Sequence, residues 1–580
     1  MPIARLGRAL SPVAAERFRV ALGLQPVTAR LLQGRGWNEV EAVAEFLYPR
    51  LEHTHSPWLL RGMEAAVART LAAIEAHQPI RILGDYDSDG TLATVILRQA
   101  LRTLGAEASY ELPQRLRGGY GLQPETMERA AAAGVRLALT VDTGIREHAA
   151  LERARELGLE VIVTDHHLPA ATLPPAVAIV NPHQPGCAYP DKGLCGAALA
   201  FKLAQALLER GGKLEGLWPP ALRSYLKLVA LATIADAAPL LGENRVFTRF
   251  GLEGLERPVN PGLRALLALA LPPGQQQVSS RDVAFRVAPR LNAAGRMGRA
   301  DRVIELFSAD AAQAAGLATA LELANRERQQ CCERILTDIA SRPPAPPAAV
   351  TLLAGADWHR GVLGIVASRV MAQSGRAAIV VALEGSQAHG SGRAPQGVHL
   401  LHLLEGCNHL FERFGGHAQA VGFSMAADKL DRLQAYLAQV PIPAPSDAAA
   451  ADLFDVELSE LTAAACQDLA RLEPYGEANP EPLFRARRAR LAAAPQVLKQ
   501  RHLKLVVEQE GVRHTALFWN LWRDGAFQSA PRRPPLEGLA PGAELELIFR
   551  LERSEHEEYG ERTQLILREF YLTAAAATGN

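Results

Sequence analysis

The stretch Gly84-Asp85-Tyr86-Asp87-Ser88-Asp89-Gly90 places three carboxylates at alternating positions directly after the mostly apolar run Ile80-Arg81-Ile82-Leu83. Three like charges this close repel unless a cation sits among them. Taken alone, an acidic turn capping a helix that begins near Thr91 would account for them, and for a lone DxDG that reading is preferable. Two later stretches displace it. LTVDTGI sets Asp142 after the apolar run Leu137 to Val141, and VIVTDHHL sets Asp165, His166 and His167 after Val161-Ile162-Val163. A short β-like run followed by metal-ligand chemistry thus recurs three times between residues 80 and 167. In an open parallel sheet ligands collect beyond the carboxyl ends of the strands, so these groups are expected to share one crevice.

The surrounding chain supports that sheet. From 51 to 250 the segments 80–83, 107–111, 136–141, 160–164 and 177–180 read as strands, with helical patterns such as Leu92, Val95, Ile96 and Leu104 between them. That rhythm predicts a doubly wound parallel sheet. Residues 1–50 read as a mostly helical leader, and 251–340 as a connecting helical region in which 300–340 forms one long helix. The connector Arg342-Pro343-Pro344-Ala345-Pro346-Pro347 leads into a second α/β unit over 348–440. A second connector, Val440-Pro441-Ile442-Pro443-Ala444-Pro445, precedes alternating runs within 450–575 that predict a small β-barrel.

Composition bounds the function. A chain of 580 residues, 48% hydrophobic and 21% charged, describes several domains, each able to bury a core. The N-terminus lacks an apolar signal region and no 18-residue apolar span is found, so neither secretion nor membrane insertion is expected and a cytoplasmic location follows. Six cysteines without zinc-ligand spacing fit reduced thiols. Lys+Arg and Asp+Glu both total 62, so any affinity for nucleic acid must come from local patches.

Carboxylates with imidazole and no thiolate suit Mn²⁺ or Mg²⁺, the histidine tilting the choice toward Mn²⁺. Asp87, Asp89, Asp142 and His166 supply more charge than one ion needs, and Asp236 in LATIADAAPL offers a fifth ligand. Two ions about 3.5–4 Å apart, bridged by a shared carboxylate, generate hydroxide and clamp an in-line phosphoryl displacement. Asp142, the lone carboxylate at its strand end, is the natural bridge. Singly, Asp236 reads as an ordinary helix or turn acid and His167 as a satisfied core histidine. Together, uncompensated buried carboxylates are too costly for that explanation.

In this order GDYDSDG, VDTG, the Asp165-His166-His167 triplet and the Asp236 segment resemble the motifs of the DHH phosphoesterase superfamily. YELPQRLRGGYGL (110–122), NPHQPGCAYPDKGLCGAALAFKL (181–203), FRVAPRLNAAGRMG (285–298) and WHRGVLGIVASR (358–369) extend the resemblance to its bacterial single-stranded-DNA exonucleases. GSGR (390–393) and FGGHAQAVGF (414–423) resemble the DHH-associated domain, and EPYGEANPEPLF (473–484) the lead into an OB-fold. The resemblance runs from about residue 50 to the C-terminus. Ser88 stands where Val or Ala is usual and Thr143 where Asn is usual; both sit beside ligand positions, where they touch only outer hydrogen bonding.

The resemblance implies an α/β fold with a doubly wound parallel-sheet DHH domain, a long connecting helix, a second α/β DHH-associated domain and a C-terminal OB-fold barrel. It implies a 5′-to-3′ hydrolase that releases mononucleotides from single-stranded DNA in repair and recombination. Two Mn²⁺ or Mg²⁺ ions would act in a ring formed where the two α/β domains face each other. Single-strand-binding protein and a DNA helicase are the implied partners, with a monomeric chain and no membrane. Asp87, Asp89, Asp142, His166 and Asp236 match the metal ligands, and Asp85 a further ligand or orienting acid. His167 matches a group touching the scissile phosphate or a metal-bound group. Arg115, Arg290 and Arg393, with Ser391, match positions that hold phosphates, including the terminal 5′-phosphate, for which a planar two-donor fork is suited. Tyr120 lies in a Gly-flanked loop where a base can stack. Arg286, Arg296 and Arg299 surround Arg290 in a basic cluster offset only by Asp282. For His417 two readings stand level, substrate contact and a helix-end histidine bonded to backbone.

In the C-terminal segment Arg485, Arg487, Arg488, Arg490, Lys499, Arg501 and Lys504 supply local positive charge. Phe518, Trp519 and Trp522 offer stacking surfaces, at least one of them expected in the barrel core instead. Two rival functions remain. A short-oligonucleotide or cyclic-dinucleotide phosphodiesterase, or a pyrophosphatase, would keep the metal motifs but gives no reason for the long helix and barrel. A non-catalytic scaffold joining a replicative helicase would be expected to lose ligands, whereas every metal position here is filled.

Overall fold

A computed structural model describes residues 12–113, 121–216, 218–343, 348–441, 453–519, 539–556 and 560–573. The chain divides into two compact units, one of Leu51–Ser446 and one joining Met1–Arg50 to Asp447–Asn580.

In the larger unit β1 (Ile80–Leu83), β2 (Ser109–Glu111), β3 (Leu137–Val141), β4 (Glu160–Thr164) and β5 (Ala178–Val180) form an all-parallel sheet in the order β2-β1-β3-β4-β5. The strands read as near-continuous apolar runs because both faces are covered. Leu137, Leu139 and Val141 join a core with helices Ser88–Thr103 and Gly196–Arg210, while Ala138 joins the opposite core with helices Pro124–Ala132 and His148–Glu156. The strand order reverses between β1 and β3, and beyond that reversal lies the crevice where such sheets bind ligands.

Two helix boundaries differ from the sequence reading. The helix expected to begin near Thr91 starts at Ser88, because Asp87 Oδ1 accepts from the Asp89 and Gly90 amides at 2.9 and 3.0 Å. The single helix expected over 300–340 is broken into Asp301–Ser308 and Ala311–Ser341. Asp310 causes the break, its carboxylate capping the second helix through the Ala312 and Gln313 amides.

The second sheet of this unit contains β6 (Val350–Ala356), β7 (Ala377–Glu384), β8 (Gln387–Arg393), β9 (Arg413–His417) and β10 (Ala420–Ala426), ordered β6-β7-β8-β10-β9. Only the β6/β7 pair is parallel, crossing over through helix Leu363–Ser374.

The smaller unit holds β11 (Leu453–Asp455), β12 (Leu483–Leu491), β13 (Gln496–Leu498), β14 (His502–Gln509), β15 (Val512–Phe518), β16 (Glu544–His556) and β17 (Gly560–Leu572). The order β12-β16-β17-β15-β14 closes on itself through a β12/β14 pairing, giving a five-stranded barrel filled by residues such as Phe484, Leu505, Leu547 and Phe549. The leader packs into this same unit. Arg30 pairs with Glu460 at 2.7 Å, the Gln25 amide donates to Asp468 at 2.7 Å, and Arg35 reaches Asn479 at 3.1 Å. Among the described residues no helix is long and apolar enough to cross a membrane, and all six cysteines are free thiols.

Candidate metal centre

The loops after β1, β3 and β4 bring their acidic and imidazole groups together beyond the strand ends. Three groups form, each with ligand atoms within 4.8 Å of one another: Asp85, Asp87 and Asp142; Asp142, His166 and His167; and Asp89, His166 and Asp236. Asp142 and His166 each belong to two of them. His166 Nε2 lies 3.1 Å from Asp142 Oδ1, 3.8 Å from Asp89 Oδ2 and 4.0 Å from Asp236 Oδ2.

The backbone is shaped around this cluster. Asp142 adopts φ 60°, a left-handed conformation that Asp tolerates better than most residues. Gly196 faces it, and a Cβ on Gly196 would lie 2.5 Å from Asp142 Cβ. The Gly196 amide donates to Asp89 Oδ2 at 2.6 Å and the Ala197 amide to Asp89 Oδ1 at 2.7 Å. A carboxylate is thereby held at the positive end of helix Gly196–Arg210.

These carboxylates are poorly compensated by protein groups alone. Asp142 Oδ1 is buried and accepts no hydrogen bond. Burial, and then Asp89, Asp87, Asp85 and Asp236, push the Asp142 carboxyl well above the ordinary range. Asp89 is raised by burial despite His166 and its two amides. Asp236, at the cleft mouth with its side chain 29% exposed, is pushed up to about 8 by burial and by Asp89 and Asp87. Burial holds His166 below its ordinary value, which keeps its ring neutral and able to donate a lone pair. An oxygen-rich, imidazole-containing cluster with an orphaned buried oxygen fits hard or borderline divalent cations.

Asp165 has a different place from its neighbours in the triplet. It joins none of the three groups and instead tethers His167, accepting from the ring Nδ1 at 2.7 Å and from the His167 amide at 3.0 Å. Its second oxygen accepts from the Ile145 amide at 3.0 Å. Burial would lower His167, but the bond to Asp165 outweighs it and raises the imidazole to about 9.

The second sheet supplies an opposing wall. His417 ends β9, so it is not at a helix end, and its ring lies parallel to that of His167 with centroids 6.3 Å apart. On β8 the Arg393 guanidinium donates to Ser391 Oγ at 3.3 Å and to the Gly392 carbonyl at 2.7 Å. Gly364, at the start of helix Leu363–Ser374, abuts this pair so closely that a Cβ would stand 2.8 Å from Arg393 Nη2.

Arg290 is tied elsewhere. Its Nε donates to Glu322 at 2.7 Å and its Nη1 to the Arg286 carbonyl. The basic cluster is therefore offset by Glu322 and by Asp301, which pairs with Arg299 at 3.2 Å, as well as by the expected Asp282. Glu322 lies too far along the chain for local sequence to have revealed the pairing. Arg115 and Tyr120 lie outside the described residues, as does Trp522. In the barrel Phe518 meets buried Phe570 edge-on at 6.2 Å, while Trp519 is 44% exposed against His502. Arg485 pairs with Asp455 at 2.5 Å, which reduces the free positive charge on β12.

Sequence reasoning missed three contributors, the Gly196 and Ala197 amides and Asn292, whose Oδ1 accepts from the Ser88 amide at 2.9 Å. The only signal for them is that GAALAFKL and RLNAAGR belong to the stretches carrying the family resemblance. Ser88 Oγ is buried without a partner, and the Thr143 carbonyl accepts from Thr140 Oγ1 at 2.7 Å.

The DHH family N-terminal domain matches residues 79–233, the DHHA1 domain 346–440 and the RecJ OB domain 454–569. Fold and cluster together define a DHH-class protein with an added OB barrel. The single-stranded-DNA-specific exonuclease RecJ of Dickeya dadantii is 37% identical over 517 residues, covering 84% of this chain and 88% of that protein. That of Bacillus subtilis is 33% identical across 91% of this chain, which spans 66% of that relative's length. The crystal structure of RecJ in complex with Mn²⁺ from Thermus thermophilus is similar with a TM-score of 0.80 and 32% identity, covering 98% of this chain and 79% of that one. The chain belongs to the RecJ family.

Proposed function

We propose that this protein is a metal-dependent 5′-to-3′ exonuclease that hydrolyses single-stranded DNA to mononucleotides. The observation that carries the reading is the sharing of Asp142 and His166 between ligand groups, which provides for two ion positions rather than one. Asp87, Asp89, Asp142, His166 and Asp236 would hold two Mn²⁺ or Mg²⁺ ions, Asp142 being the carboxylate available to both. Bound there, the ions would supply Lewis-acid activation of water and charge stabilisation at the phosphate. Asp85 orients the first group. His167, oriented by its bond to Asp165, touches the scissile phosphate or a metal-bound group.

Ser391 and Arg393, with Arg115 and Arg290, hold backbone phosphates and the 5′ terminus; His417 contacts the strand from the opposite wall, and Tyr120 stacks a base. For Arg290 this role requires release from Glu322 when the strand enters. The domain division we propose is leader 1–50, catalytic DHH domain 51–250, connecting helices 251–340, DHH-associated domain 348–440 and OB domain 450–575. The chain acts as a monomer in the bacterial cytosol on repair and recombination intermediates, in concert with a single-strand-binding protein and a DNA helicase.

Incubating 5′-labelled and 3′-labelled single strands with Mn²⁺, Mg²⁺ or chelator tests reaction, polarity and metal together. Mononucleotides released from the 5′ end only with metal are the expected result. Release from the 3′ end, or activity surviving chelation, overturns the reading.

A further inference from the structure

Helix Ala288–Arg296 is preceded directly by a π-helical turn, Val283–Val287. One end of this continuous rod is fixed to the catalytic loop. Asn292 Oδ1 accepts from the Ser88 amide at 2.9 Å, and Gly295 packs so tightly that a Cβ would lie 2.2 Å from the Tyr86 carbonyl oxygen. At the other end Val283 and Val287 are fully buried, and Phe285, two residues from each, points the opposite way and is 76% exposed. The Arg281 guanidinium stands 5.9 Å from the Phe285 ring centroid.

Isolated π-helical turns are rare and concentrate at functional sites. Here the turn sets buried valines on both sides of an outward ring. An exposed phenylalanine flanked by arginine matches the aromatic-plus-cation arrangement that holds unpaired bases. Seven residues separate Phe285 from Asn292, about 10 Å at 1.5 Å per residue. At 3.4 Å per stacked nucleotide this corresponds to about three nucleotides.

We infer that Phe285 is a stacking platform for a base of the single strand about three nucleotides from the scissile phosphate, with Arg281 as its flanking cation. The inference rests on the exonuclease reading above. Because every base offers a π-face, the contact is indifferent to sequence and sensitive to strand length.

Steady-state hydrolysis of 5′-phosphorylated dT dinucleotide and decamer by the full-length wild type, Phe285→Ala and Phe285→Trp tests it. Phe285→Ala should raise KM for the decamer by about 5- to 150-fold, the range set by loss of one stacked base. It should leave kcat and all dinucleotide parameters unchanged, and Phe285→Trp should restore the decamer KM. With Ca²⁺ replacing Mn²⁺, 2-aminopurine at the fourth nucleotide should be quenched by wild type but not by Phe285→Ala. An unchanged decamer KM, or equal losses on dinucleotide and decamer, overturns the inference. Unchanged KM with lost stimulation by a protein that coats single strands assigns the ring to a protein interface and likewise overturns it. A wild type that degrades no strand at all sinks the exonuclease reading instead.

Discussion

The imidazole of His417 lies parallel to that of His167, with centroids 6.3 Å apart and 6° between the ring planes. One ring comes from the loop beyond β4 and the other from the end of β9, so the two α/β layers of the larger unit meet at the cluster. His417→Ala should therefore weaken strand binding more than chemistry. The expected signature is a raised KM for single-stranded DNA with near-normal kcat, read by initial rates on a labelled oligonucleotide.

Asp142→Ala should reduce hydrolysis to background at any practical Mn²⁺ concentration while far-UV circular dichroism stays unchanged, because it removes the carboxylate common to two ligand groups. Gly196→Ala should approach the same outcome by a different route, its Cβ falling 2.5 Å from Asp142 Cβ. Metal binding by calorimetry should weaken in both. Activity above a few per cent of wild type in Asp142→Ala would remove it as the bridge.

The metal-free protein should lose stability as pH rises. The Asp236 carboxyl stands at about 8 in the fold against 3.8 for an unperturbed side chain, so the fold binds a proton there more tightly than the unfolded chain does. That advantage is complete below about pH 4 and is lost as pH rises to about 8. Asp142 and Asp89 are shifted in the same direction. Saturating Mn²⁺ should abolish the slope, adding about 2.7 kcal/mol at a hundredfold excess over Kd. Thermal melts in chelator and in Mn²⁺ across this range provide the measurement, and a flat metal-free profile would contradict it.

Lys202 lies on the helix that grips Asp89 and is itself held by a fully buried ion pair, Nζ standing 2.6 Å from Glu243 Oε1 and 2.6 Å from the His55 carbonyl. Lys202→Met strands the Glu243 charge in the core beside Tyr189, at a cost of about 3–5 kcal/mol. Urea denaturation should show a lower midpoint at an unchanged slope, and a shift below about 1 kcal/mol would mean the site relaxes to admit water.

Separating the barrel from the catalytic unit requires removing both chain ends, since the leader pairs with it through Arg30 and Glu460. A 51–446 fragment should hydrolyse short oligonucleotides but bind long strands less tightly. Its log–log salt slope should flatten by about 0.7 for each phosphate that the barrel no longer neutralises. Unchanged affinity and slope would reassign the barrel to a structural or docking role.

Local pattern was enough for the strands that carry the site. The apolar runs before Asp85, Asp142 and Asp165 determined parallel strands covered on both faces, and their polar ends determined that Asp87, Asp89, Asp142 and His166 would converge, because side-chain period and strand direction are properties of a few consecutive residues. The alternating runs after residue 500 likewise determined three of the five barrel strands, β14, β16 and β17, while β12 and β15 were not legible as such runs. What tertiary structure alone decided was partnership at long range. Local sequence did not assign Asp165 to tether His167, Glu322 to occupy Arg290, the Gly196 and Ala197 amides to hold Asp89, or the leader to pack with the C-terminal barrel. Each such contact joins groups through side-chain rotamers and helix packing, and a short-range period carries no information about which distant charge will be nearest once the chain has closed.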